Sequence, residues 1–298
     1  MTVKSNAMQA STDSQKPKKS AQVPLALQVM RTAFKAYGMV SAKGAGKWAN
    51  SMWFSPRRSK ESSQAAMFLA DADEVIELKS GHLTVPVYSW GMGEKSVLLV
   101  HGWEGRSAQL SEFVAPLTSL GLRVLCFDGP AHGRMPGKQT HIGEFADIIS
   151  LVDSKICKLH GIVAHSLGCT GAVRAAALGV NAKKIVCISP MANLNNAVKN
   201  FSALLDLPTK VEKEHRRLLE ARFGQDVWME YSIDSLAKRV KAEGLLIHDQ
   251  GDREIAHGQS LAIGKHWHNS TLITTQSLGH RKILRDGEVV QQVKAFFA

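Results

Sequence analysis

The chain has 298 residues, 44% of them hydrophobic and 21% charged, which excludes a wholly disordered protein and suits one large α/β domain or two small ones. No run approaches the roughly 18 apolar residues that a membrane-spanning helix needs. The formal net charge of +11 points to nucleic acid or an anionic membrane until it is located: residues 1–60 carry eleven Lys or Arg against Asp13 alone, and the rest of the chain is nearly neutral. No nucleic-acid partner is therefore expected for the main body, and any peripheral membrane contact is expected through residues 1–60.

Residues 1–22 are polar and rich in Lys, Ser and Gln, which predicts a disordered basic tail. They hold no apolar stretch before a small-residue cleavage site, so a secretory signal is not expected and a cytoplasmic location is. Over residues 23–60, Leu27, Met30, Phe34, Tyr37 and Val40 recur at helical spacing among basic residues. This predicts a basic amphipathic helical segment, divided in two by Gly38, Gly44 and Gly46, with its apolar face packed on the parent domain. Two strands, Glu74–Lys79 and His82–Trp90, follow as a hairpin turning at Ser80-Gly81.

Short apolar strands then alternate with amphipathic helices. Strand Ser96–Val100 precedes helix Ala108–Leu120, and strand Arg123–Phe127 precedes helix Glu144–Leu159. Strand Gly161–Ala164, helix Leu167–Leu178 and strand Lys184–Ser189 complete this half. Strands this apolar must be covered on both faces, so the expected fold is α/β, with a doubly wound, mostly parallel β-sheet. From 191 to 243 the alternation pauses, leaving only helical patterns such as Val211–Phe223 and Ser232–Ala242. An all-helical insertion of about fifty residues is too long for a loop and reads as a lid. The rhythm resumes with Leu245–Ile247, His257–Trp267, Thr271–Thr275 and Glu288–Phe297, so residues 61–190 and 244–298 form the core.

The informative stretch runs from Gly161 to Cys169. A strand ends at Ala164, a helix begins near Leu167, and Ser166 occupies the turn between them. A turn this sharp tolerates only small residues two before and two after the serine, and Ala164 and Gly168 meet that demand. The hydroxyl is thereby lifted above the sheet edge near the positive end of a helix. A serine alone is a poor nucleophile and needs a base and an orienting carboxylate.

The chain resembles the α/β-hydrolase fold superfamily, in its serine esterase and lipase-like branch, over roughly residues 74–298. Val97–Val100 followed by His101, Gly102 and Trp103 is similar to the family's strand ending in His-Gly. Asp128, Gly129, Pro130, Ala131, His132 and Gly133 resemble its Asp-x-Pro-Gly-His-Gly turn, with Ala131 replacing a Gly. The serine turn, a strand ending near an acid and a late Gly-His follow in the family's order.

The resemblance implies Ser166 as nucleophile and His280 as base. It implies Asp252 as the acid, with Asp249 and Glu254 as rivals. It also implies an oxyanion hole made by the backbone N–H groups of Trp103 and Leu167. His165 adjoins the serine, and on a tight turn its side chain would line the substrate pocket. Arg106 would bind an anionic substrate group there or form a surface ion pair. His101 and His132 would brace their loops. His257, His266 and His268 suit solvated or packed positions.

The expected activity is hydrolysis of a carboxylic ester or related acyl bond of a small-molecule substrate, through an acyl-enzyme and without a cofactor. A thioesterase, peptidase, C–C hydrolase or acyltransferase would use the same residues. A non-catalytic ligand- or partner-binding protein on this fold is the alternative of another class. No metal site is expected, because His266 and His268 are two apart and would not share a helix face. The four cysteines are too scattered for a disulfide framework or a zinc cluster.

Overall fold

A computed structural model describes residues 23–298; the expected tail over 1–22 lies outside the described residues. In chain order the helices are α1 (Leu25–Val40), α2 (Ala42–Trp53) and α3 (Ser63–Ala70), followed by strands β1 (Glu74–Ser80), β2 (Leu83–Trp90) and β3 (Ser96–Val100). Next come α4 (Val114–Thr118), β4 (Arg123–Phe127), α5 (Ile142–Leu151), β5 (Leu159–His165), α6 (Leu167–Ala177) and β6 (Lys184–Ile188). Helices α7 (Leu194–Leu205), α8 (Thr209–Phe223), α9 (Val227–Glu230) and α10 (Ile233–Leu236) form the insertion. The chain closes with β7 (Glu243–Asp249), α11 (Gly258–Gly264), β8 (Ser270–Thr275), α12 (Gly279–Lys282) and α13 (Gly287–Phe297).

The eight strands make one sheet in the order β1-β2-β4-β3-β5-β6-β7-β8. The β1–β2 and β2–β4 pairs are antiparallel, and all others are parallel. Strand side chains alternate faces, and the core divides accordingly. Leu98, Val100, Ile162, Ala164 and Leu246 meet α5, α6 and α11 on one face. Val97, Leu99, Val163, Ile247 and their neighbours meet α4 and α13 on the other. Both faces are thus dry, as the continuous apolar strands required. No helix among the described residues is long and apolar enough to cross a membrane.

Three expected elements differ. The helix expected over 108–120 is a 3-10 turn, Ser107–Phe113, running into the short α4. The helix expected to reach Leu159 stops at Leu151 and ends in a π turn. There the Asp153 carboxylate accepts from the Leu159 N–H and Lys158, turning the chain into β5 two residues early. The helix expected over Ser232–Ala242 shortens to α10 plus one 3-10 turn.

Residues 23–60 do form two helices, but the break falls at Ser41, whose hydroxyl accepts from the Gly44 N–H and caps α2. The glycines serve packing instead. A Cβ on Gly46 would lie 2.4 Å from Glu214 Cγ, and one on Gly38 would lie 2.9 Å from Val211, so both admit close approach of α8. The apolar face of this segment therefore packs on the insertion rather than on the sheet. Phe34, Ala45 and Ala49 share one cluster with Leu205 and Val211. Part of the basic charge is also used internally: Lys35 pairs with Asp206, and Arg31 donates to the Leu204 carbonyl.

Candidate active site

Four loops meet above the carboxyl ends of the parallel strands, where ligands of open α/β sheets bind. The loops after β3 and β5 adjoin because those strands are paired, and so do the loops after β7 and β8. Ser166 sits between β5 and α6 with φ 54° and ψ −126°, a conformation a side chain rarely adopts. The turn is held by the Ser166 N–H donating to the Ile188 carbonyl at 2.9 Å. A Cβ on Gly168 would fall 2.4 Å from the His101 carbonyl oxygen, and one on Gly102 would fall 2.8 Å from Ser166 Cβ. Only glycine at both positions lets the His101–Gly102 loop lie against the serine turn.

Ser166 Oγ is 3.0 Å from His280 Nε2, and His280 Nδ1 is 2.7 Å from Asp252 Oδ2. An ionised carboxylate only accepts, so Nδ1 carries the proton and Nε2 is left to accept from the serine hydroxyl. All three residues are buried. Burial alone would raise the Asp252 pKa. Hydrogen bonds from His248, His280 and the Ile255 N–H outweigh it and hold the carboxyl well below its ordinary value.

The rival acids do other things. Asp249 accepts from the Gly251 and Leu278 N–H groups and the Thr275 hydroxyl, tying the β7 loop to the His280 loop. Glu254 is half exposed and pairs with Arg281.

The loop carrying Trp103 is braced by two neutral histidines. His101 Nδ1 donates to the Gly102 carbonyl while Nε2 accepts from the Gly129 N–H. His132 Nδ1 donates to the Pro130 carbonyl while Nε2 accepts from the Glu104 N–H. Burial lowers the His132 pKa to about 4, which keeps it uncharged at neutral pH, and these two bonds select the tautomer. Among the described residues, no backbone acceptor takes the N–H of Trp103 or of Leu167.

Ala131, where the resembled motif has Gly, holds φ 60°. Ala131→Gly is expected to relieve about 1 kcal/mol of strain, partly offset by chain entropy. The thermal midpoint should rise by about 1 °C, and a fall would show that the turn is relaxed as it stands.

Two cavities meet at Trp103 and Leu167. One, of about 580 Å³, runs under the insertion and α1 and is walled by Met30, Phe201, Leu205, Phe223 and other apolar groups. The second, of about 490 Å³, contains Ser166, His165 and His280. His165 lines this cavity, and its Nε2 donates to the His280 carbonyl at 3.0 Å. Its pKa is lowered to about 3 by burial and then by the neighbouring His280, so it stays neutral.

Arg106 does not reach either cavity. Its guanidinium bonds the Ser59 hydroxyl and carbonyl, because the extended segment after α2 crosses there. The expectation of an anion-binding role for it in the pocket is therefore corrected.

Three further groups were not foreseeable from sequence. His248 is fully buried beneath Asp252, with Nε2 3.3 Å from its Oδ2 and Nδ1 2.7 Å from the Ser260 hydroxyl. Arg57 pairs with Glu104 at the junction of the cavities, and Trp53 lines both of them. Arg57 and Trp53 lie in a segment remote in sequence from every motif, and His248 reads as one more strand-end residue.

The family model described as "Alpha/beta hydrolase family" matches residues 97–280. No curated protein matches the chain. Among solved structures, the chain is similar to an esterase from Pyrococcus furiosus, with 18% identity and a TM-score of 0.61 over 82% of this chain and 97% of the other. It is also similar to a meta-cleavage product hydrolase from Pseudomonas fluorescens, with 17% identity and a TM-score of 0.56 over 76% and 98%. Est1E from Butyrivibrio proteoclasticus gives 17% identity and 0.56 over 75% and 97%. At these identities the likeness is one of fold.

Proposed function

This chain belongs to the alpha/beta hydrolase family, and on that footing we propose that it is a serine hydrolase cleaving a carboxylic ester or a related acyl bond. The observation that carries this is the unbroken hydrogen-bond path from Ser166 through His280 to Asp252. Ser166 Oγ attacks the acyl carbon as His280 Nε2 takes its proton, and Asp252 stabilises the imidazolium. The oxyanion accepts from the Trp103 and Leu167 N–H groups, each worth about 3 kcal/mol in the transition state. His280 then gives its proton to the leaving atom, which departs as alcohol or thiol and leaves an acyl-enzyme on Ser166. Water attacks the acyl carbon with His280 as base and releases the acid. The insertion, with α1 and α2 packed on it, serves as the lid that excludes bulk water.

Intact mass after exposure to a fluorophosphonate tests this. An adduct is expected on the wild type and none on Ser166→Ala. A folded wild type that stays unlabelled would overturn the proposal and favour a non-catalytic binding protein on this fold.

A further inference from the structure

The two cavities divide the substrate between them. During acyl transfer the carbonyl oxygen points at the Trp103 and Leu167 N–H groups, which border both spaces. The departing atom must lie within reach of His280 Nε2 to receive its proton. His280 and Ser166 line only the 490 Å³ cavity, so the leaving group belongs there and the acyl chain extends into the 580 Å³ cavity.

The 580 Å³ cavity is neutral as well as apolar. Its ionisable lining is Arg57 and Glu104, which pair with each other, His141, whose pKa burial lowers, and Tyr231, whose pKa burial raises. Its volume is within the range that encloses a drug-sized ligand, far more than an acetyl group fills.

The leaving-group cavity has the opposite character. Arg57, Arg281, Lys282 and Arg285 line it against Glu104 and Glu254. Glu104 pairs with Arg57 and Glu254 with Arg281. Lys282 and Arg285 have no carboxylate partner among the described residues, and both are exposed to the cavity's solvent. They lie three apart on the turn that carries His280, a spacing that puts both on one side. An excess of two positive charges thus flanks the residue that protonates the leaving group.

Resting on the Ser166 reading above, we infer that the substrate joins a medium-length or longer acyl chain, by an ester or thioester bond, to a leaving group carrying phosphate. Arg and Lys together recognise phosphate by fork geometry and point charge. The acyl–oxygen or acyl–sulfur bond breaks as the bond to Ser166 Oγ forms. His280 supplies the proton to the phosphate-bearing alcohol or thiol, and water then frees the fatty acid.

Two matched pairs test this and distinguish the carriers. S-octanoyl coenzyme A is compared with S-octanoyl-N-acetylcysteamine, and 1-octanoylglycerol 3-phosphate with 1-octanoylglycerol. In at least one pair the phosphate-bearing member should have a kcat/KM tenfold or more above its neutral counterpart. That ratio should fall with added NaCl and drop toward one both in Lys282→Ala/Arg285→Ala and in Arg285→Glu, each of which cancels the excess of two charges. Octanoyl should exceed acetyl by tenfold or more on the preferred carrier. Charged-to-neutral ratios within threefold of one, ratios unmoved by the variants, or acetyl matching octanoyl would overturn the assignment. If none of the four octanoyl substrates turns over while a fluorophosphonate still labels Ser166, the substrate class alone is wrong. If Ser166 is not labelled either, the hydrolase reading has failed and takes the substrate class with it.

Discussion

Asp252→Asn is expected to lower kcat by about 10⁴-fold while leaving the fold in place, because an amide can donate to His280 and stabilise the wrong tautomer. With Nδ1 turned into an acceptor, Nε2 carries the proton and can no longer take one from Ser166. The labelling rate of Ser166 by a fluorophosphonate should fall in parallel, since it reports the same activation. The neighbouring acids separate from Asp252 in this experiment. Glu254→Gln should change kcat only a few-fold, because that half-exposed side chain pairs with Arg281 and stays 3.9 Å from His280 Nε2, beyond hydrogen-bond reach. Asp249→Asn turns one of its two buried acceptor oxygens into a donor, so the Gly251 N–H on one side or the Leu278 N–H and Thr275 hydroxyl on the other lose their acceptor. Its cost should appear as about 1–3 kcal/mol of stability. A folded Asp249→Asn enzyme with the full kinetic loss, beside an active Asp252→Asn enzyme, would reverse the assignment of the acid.

The second large effect is on stability in acid. His132, His165 and His215 are buried, and burial lowers their pKa values to about 4, about 3 and about 4. In the unfolded chain each titrates near 6.5. As pH falls from about 6.5 toward 4, the unfolded chain binds protons on these residues that the folded chain refuses, so acid favours unfolding. Each group can withdraw about 3 kcal/mol across that window, and three together rival the whole stability of a typical domain.

His215 isolates the effect from the active site. It sits on α8 with its ring 5.4 Å from Trp53 and 5.6 Å from Phe201, and neither ring nitrogen has a hydrogen-bond partner among the described residues. His215→Phe keeps the shape and removes the titration. Measured by urea unfolding, its advantage over wild type should grow by about 2 kcal/mol between pH 7.5 and pH 5. An unchanged difference would show that His215 titrates normally in the folded protein.

Much of this molecule is written locally. The alternation of apolar strands with helices, the small residues flanking Ser166 and the His101–Gly102 and Asp128–Gly133 loops depend on period and on steric demands within a few residues. They were legible for that reason. Helix ends were less so. The stop at Ser41 depends on a cap that the glycines on either side obscure, and the early end of α5 depends on an aspartate turning back to the Leu159 N–H.

The placement of residues 23–60 was decided by tertiary structure alone. An amphipathic face states that it must be buried but not against which partner, since the sheet and the insertion offer similar apolar surfaces. The choice rests on the shape match of Gly38 and Gly46 with α8. The same physics governs the two cavities. Arg106 is drawn to Ser59 by a strand of chain that crosses above it, while Arg57 and Trp53 arrive at the site from a segment more than a hundred residues before Ser166. Sequence determined the chemistry that short spacing imposes. Which charges face the substrate depended on long-range packing, where many pairings share one composition and only three-dimensional fit selects among them.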